Sequence, residues 1–191
     1  MIRAKKIGSA TYEDLCNLPP EKVGEILSGE LIASPRPAGR HALATSNLSI
    51  DLGPFARKPG GPGGPGGWIL LYEPELHFGD DVLVPDLAGW RRERMPTVRD
   101  ELFFTLAPDW VCEVLSPSTR RIDRVRKMPV YAAAQVPHLW LVDPLDKLLE
   151  VYRLEGARWS LVGSHSESDR VRAPPFEEVE LQLDRLWGDE A

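Results

Sequence analysis

The stretch Asp109-Trp-Val-Cys-Glu-Val-Leu-Ser116 decides the fold, because it reads as a strand that is apolar on both faces and therefore central in a sheet. Ser118 or Thr119 can cap a helix directly behind it. Ile122, Val125, Pro129 and Ala132 or Ala133 have the three- and four-residue spacing of one packed stripe, so they predict that helix's inner face. Pro129 predicts a kink, since proline removes a backbone donor in mid-helix. His138-Leu-Trp-Leu-Val-Asp-Pro144 then reads as a second buried strand. Strand, helix, strand with hairpins on both sides defines a mixed central sheet flanked by helices: an α/β domain, bordering on α+β.

Working outward, Thr11 and Asp14 have the form of a capping box, predicting a short helix that stops at Pro19-Pro20. The apolar runs from Val23 and Glu30 flank Ser28-Gly29 as a β-hairpin. A helix is expected from Pro37 to about Ala56, and Pro59 to Gly67 (PGGPGGPGG) reads as a flexible surface loop, far too short a repeat for a triple helix. Trp68–Phe78 and Val82–Trp90 are expected as two strands joined by Gly79-Asp80-Asp81. Beyond the second buried strand, Lys147–Leu154 and Arg158–Gly163 form a hairpin, and Val179–Leu183 alternates as a final strand.

With 191 residues, 42% of them apolar and 27% charged, the chain suits a single domain with its own core rather than a disordered or fibrous protein. No apolar run approaches the roughly 20 residues of a membrane helix. MIRAKKIGSA lacks the apolar stretch of a secretory signal, so a cytoplasmic location is expected. Cys112 lies in an apolar run and reads as a buried free thiol. The net charge of −6 argues against coating nucleic acid through bulk charge. Two local basic groups remain as candidates for backbone contacts: Arg91, Arg92, Arg94 and Arg99, then Arg120, Arg121, Arg124, Arg126 and Lys127. The competing reading of each is a solvated face.

Three acids stand in apolar strand sequence: Glu30, Asp86 and Glu113. A carboxylate in such a strand either reaches water at a strand end or needs a partner. Asp86 and Glu113 sit on successive core strands that can lie side by side, where two carboxylates can share one cation. Few oxygen ligands plus water suit Mg²⁺ or Mn²⁺, ions that serve phosphodiester hydrolysis. Lys127 shares a helix face with Asp123 and Tyr131, so it is either the basic group of that site or half of a surface pair. His41, behind Arg40 at a helix start, could approach a phosphate, but the preferred reading is a solvated helix terminus. Scattered histidines exclude a zinc motif, and the Pro-Gly stretch lacks the lysine of a nucleotide-binding loop.

Gly29-Glu-Leu-Ile with Ser34-Pro35, Val84-Pro-Asp-Leu-Ala, Val111-Cys-Glu-Val-Leu-Ser-Pro-Ser-Thr, Lys127-Met-Pro-Val-Tyr-Ala and Val136-Pro-His-Leu-Trp-Leu-Val-Asp-Pro resemble the Uma2 family in order and spacing. That family belongs to the PD-(D/E)xK, restriction-endonuclease-like nucleases, and the likeness runs from about Tyr12 to Trp187. It implies a restriction-endonuclease-like fold over one domain, with Asp86 as the Pro-Asp acid and Glu113 as the second acid. It further implies the Val114 carbonyl as a third metal ligand, Glu30 as an amino-terminal helper acid, and DNA as substrate. Leu115 stands where the superfamily's signature lysine would, and the likeness moves that role to Lys127.

The leading expectation is a divalent-metal-dependent DNA endonuclease. Asp86 and Glu113 would hold Mg²⁺ or Mn²⁺, Lys127 would act at the scissile phosphate, and Arg91, Arg92, Arg120, Arg121 and Arg124 would position the backbone. Cutting both strands predicts a homodimer. The rival is a degenerate nuclease fold that binds nucleic acid or a protein partner without cleavage, a reading favoured by Leu115 and the acidic net charge.

Overall fold

Thr11 caps the first helix with the expected capping box: its amide donates to the Asp14 carboxylate at 2.7 Å, and the Asp14 amide donates to its hydroxyl at 3.2 Å. Helix α1 follows over Tyr12–Cys16. The computed structural model describes residues 9–36, 39–98 and 100–188. Pro37, Arg99 and most of the first ten residues, all interpreted above, lie outside them. Strands β1 (Lys22–Leu27) and β2 (Glu30–Pro35) pair antiparallel around Ser28 and Gly29. Both turn residues have positive φ, 55° and 82°, which suits the twist of a two-residue hairpin. Helix α2 covers Gly39–Asp51, followed by a 3₁₀ turn at Gly53–Ala56. The Pro-Gly loop folds back on that turn, with the Gly66 amide donating to the Pro54 carbonyl.

The two strands expected over 68–78 and 82–90 both break, giving β3 (Trp68–Tyr72), β4 (Leu76–Phe78), β5 (Asp81–Leu83) and β6 (Leu87–Arg91). Pro74 and Pro85 stand in the two breaks and have no amide for a ladder. One ribbon therefore feeds two sheets. β4 and β5 join the hairpin in a four-stranded sheet of order β2-β1-β5-β4, while β3 and β6 enter a six-stranded sheet.

The six-stranded order is β10-β9-β8-β7-β6-β3. Its centre is β7 (Trp110–Val114), central as the sequence predicts, antiparallel to β6 and parallel to β8 (His138–Asp143). β9 (Leu148–Glu155) and β10 (Arg158–Ser166) form the outer hairpin. β11 (Arg170–Val171) pairs with β12 (Leu181–Gln182), shorter than the expected last strand because the chain turns into helix α5 (Leu183–Trp187). β7 is buried on both faces. Trp110, Cys112 and Val114 pack with Leu48, Phe55, Trp140, Phe176 and Leu186, whereas Val111 and Leu115 pack with Leu27, Leu83, Trp90 and Tyr131.

The β7–β8 crossover contains α3 (Arg120–Ile122), a π-helical turn (Asp123–Lys127) and α4 (Met128–Ala133). The Met128 amide bonds the Asp123 carbonyl, five residues back. The proline kink thus takes the form of a widened turn, and Pro129 falls in the first turn of α4, where no amide donor is required. This changes the buried face. Of the expected aliphatic stripe, Ala132 is buried and Ile122 packs partly buried against the core, but Val125 is 59% exposed and Pro129 is exposed, while Asp123, Lys127 and Tyr131 are buried.

Candidate active site

The break between β5 and β6 brings the chemistry together. Glu25 lies in the apolar half of β1, and its Oε1 accepts the Val84 amide at 2.8 Å, pinning the hairpin to the residues just before Pro85-Asp86. Asp86 follows at the mouth of β6. Its Oδ2 accepts the Val114 amide at 2.7 Å, and His41 Nε2 of α2 lies 3.2 Å from its Oδ1. Leu87 is opposite Cys112 in the β6–β7 ladder, so continuing that register sets Pro85, which has no amide, opposite Val114.

Glu113 extends from β7 toward the crossover helix. Its Oε1 accepts the Tyr131 hydroxyl at 2.5 Å and stands 2.8 Å from Lys127 Nζ. The same ammonium is 2.9 Å from Glu25 Oε1 and 3.6 Å from Asp123 Oδ1, and it donates to the Val84 carbonyl at 3.4 Å. Lys127 is only 3% exposed. The surface-pair reading of Asp123 and Lys127 therefore fails, and a helix lysine reaches the acid of the central strand. Leu115 is fully buried in apolar packing.

One ammonium faces three carboxylates here. Burial disfavours the Lys127 charge, but Glu113 and Glu25 outweigh it and hold the pKa well above the ordinary lysine value. The surplus negative charge falls on the acids. Burial drives Glu113 well above the usual carboxylate range, with Lys127 opposing and Asp123, Asp86 and Glu25 adding repulsion. Asp123 is pushed up to about 6, again by burial against the pull of Lys127. Burial and Glu113 likewise raise Tyr131. A cleft of about 250 Å³ opens on this group, lined by Glu25, His41, Asp86, Glu113, Val114, Asp123 and Lys127, with Arg36, Ser116 and Thr119 also on its wall. A second concavity, about 430 Å³ along β3, is lined by Trp68 to Leu71 with Arg92 and Pro96, with no acid or histidine among its described lining residues.

Of the residues singled out from the sequence, Asp86, Glu113, Val114 and Lys127 meet at this cleft. Glu30 does not. The hairpin register pairs Glu30 with Leu27 beside the turn, where its side chain is 68% exposed and bound to Arg126 at 3.0 Å. Glu25 is the β1 acid that reaches the cleft. It was missed, although it has the same signature of an acid inside an apolar run. His41 is also corrected: it is buried against Asp86 and not a solvated helix terminus.

The basic groups are largely occupied. The Arg91 guanidinium stacks 4.5 Å over Trp68, and Arg92 donates to the Ala56 carbonyl. Arg120 lies 3.4 Å from Asp143, Arg124 is bound to Glu150, and Arg94 to Asp109 at 2.8 Å. Arg121 is exposed. None of these arginines is part of the cleft lining.

A mixed sheet with flanking helices, carrying an acid ahead of one strand, a second acid in the central strand and a buried lysine beside it, defines a restriction-endonuclease-like fold. Residues 9–185 match the model of the Uma2 family, described as "Putative restriction endonuclease", and the chain belongs to that family. The crystal structure of a protein described as a "putative nuclease belonging to DUF820", from Anabaena variabilis, is similar over 94% of this chain and 98% of its own, at 25% identity and a TM-score of 0.74. No curated protein matches the sequence. Family and structural neighbour both point to a nuclease.

Proposed function

We propose that this protein is a divalent-metal-dependent DNA endonuclease whose centre is Asp86, Glu113 and Lys127. The observation that carries the reading is the 2.8 Å contact between Lys127 and Glu113, which supplies from the crossover helix the ammonium that Leu115 cannot. The donor set suits a hard cation: more carboxylates than positive charges, with one backbone carbonyl, that of Val114, opposite an amide-less proline. Among the described residues, no three His, Cys, Asp or Glu side chains form a metal-holding cluster. Two carboxylates and a carbonyl, with water, are the kind of set Mg²⁺ accepts. Asp86, Glu113 and the Val114 carbonyl would hold it. When bound, such a cation polarises the phosphoryl group and acidifies a water.

The protein's own groups divide the remaining work. Lys127 stays an ammonium at neutral pH, so it stabilises developing charge on the phosphate and does not act as a base. Glu25 replaces Glu30 as the amino-terminal helper acid: through one oxygen it holds both Lys127 and the Val84 amide, fixing the lysine relative to Asp86. Duplex cleavage requires two such sites, as in a twofold dimer.

The test is plasmid nicking with Mg²⁺ or Mn²⁺ by wild type, Asp86→Ala, Glu113→Ala and Lys127→Ala. Wild-type nicking that is lost in all three folded variants supports the proposal, whereas nicking that survives in Asp86→Ala and Glu113→Ala sinks it. The rival, a non-cleaving nuclease fold, draws on the neutralised arginines. It predicts an inert wild type in the same assay.

A further inference from the structure

His41 occupies a place where the fold asks for an aliphatic residue. With Ala44, Thr45 and Leu48 it forms the buried stripe of α2, and it is itself nine-tenths buried. Its Nδ1 is buried with no hydrogen-bond partner among the described residues, a desolvation cost that Leu or Met would avoid. In return, its Nε2 lies 3.2 Å from Asp86 Oδ1.

That contact completes a two-point hold on a carboxylate. Val114 fixes one oxygen through its amide, and His41 faces the other. One hold alone leaves the carboxylate free to swing about the bonded oxygen; two define its plane. Each carboxylate oxygen has two acceptor positions, so both oxygens keep one for another ligand.

Resting on the proposed metal-dependent reading, we propose that His41 is a positioning residue: it orients the Asp86 carboxylate for a divalent cation without ligating the ion. Outer partners of this kind typically change metal affinity by about 10- to 100-fold when removed.

The test combines crystal structures and Mn²⁺ calorimetry for wild type, His41→Leu and His41→Gln, the last keeping an N–H near the Nε2 position. In His41→Leu the carboxylate is expected to leave its wild-type orientation, and Mn²⁺ affinity to fall about tenfold or more. His41→Gln is expected to retain both, and His41→Leu to unfold at no lower temperature than wild type. Wild-type Asp86 orientation and Mn²⁺ affinity in His41→Leu would overturn the proposal. Equal loss of affinity in both variants with Asp86 unmoved would also overturn it, by making His41 a ligand. If wild type takes up no Mn²⁺, the metal-dependent reading falls, and the orientation of Asp86 in the variants still decides the role of His41.

Discussion

Lys127 is the residue on which the site turns, because it is the buried cation shared by Glu25, Glu113 and Asp123. Replacing it with alanine leaves those carboxylates without a counter-charge, which typically costs about 3 to 5 kcal/mol. Tyr131→Phe removes only one hydrogen bond to a carboxylate and is expected to cost about 1.5 to 3 kcal/mol. Urea denaturation at pH 7 measures both, and the lysine variant should be the weaker. Asp123 adds a pH dependence of defined sign. Its pKa rises from 3.8 to about 6 on folding, so its contribution is full below 3.8 and is lost as pH climbs through 6. A rise of that size amounts to roughly 3 kcal/mol. The stability of wild type relative to Asp123→Asn should fall by about that much between pH 3.5 and 7; a difference that does not vary with pH would contradict the burial argument. Asp86 and Glu113 are legible in the sequence because an acid in an apolar run must find a partner. Lys127 is ambiguous there, since a spacing of four looks the same on a buried and a solvated helix face. Glu25 meets the same criterion as Glu113, but the resemblance draws attention to Glu30, which is only five residues on.

At the scale of elements, the crossover helix shows where periodicity fails. A regular helix would bury Ile122, Val125 and Pro129 together; the π turn shifts the face so that Asp123, Lys127 and Tyr131 turn inward. Hydropathy alone cannot anticipate a buried ionic face, because its members are the residues that pattern reading assigns to solvent. Because Pro129 starts α4 rather than interrupting it, Pro129→Ala is expected to change stability by less than about 1 kcal/mol. Removing a true mid-helix proline would instead gain about 3 kcal/mol, and urea denaturation separates the two. The hairpins and the strand-helix-strand unit are legible because turn residues and two-faced apolar runs mark them locally. The division of one ribbon between two sheets is not, since it depends on where Pro74 and Pro85 meet partners distant in sequence.

For the whole molecule, charge sets the terms of binding. The net charge is −6, and Arg94, Arg120, Arg124 and Arg126 already have carboxylate partners. Within the two basic groups, few phosphates can be neutralised without breaking those pairs. The logarithm of DNA affinity against that of salt concentration should therefore have a slope of only about −1 to −3, measured by fluorescence anisotropy. A slope near −8 would mean a broad basic groove that the paired arginines do not provide. No helix among the described residues is long and apolar enough to cross a membrane.

Under the proposed function, Asp86 and Glu113, with the end of β7 between them and Lys127 beside them, hold one divalent ion. Crystals soaked in Mn²⁺ and measured at the manganese absorption edge test it directly. One anomalous peak is expected in the cleft, bonded to a carboxylate oxygen of each acid and to the Val114 carbonyl. Saturating Mn²⁺ with no peak there, or a peak bonded to neither acid, would contradict it.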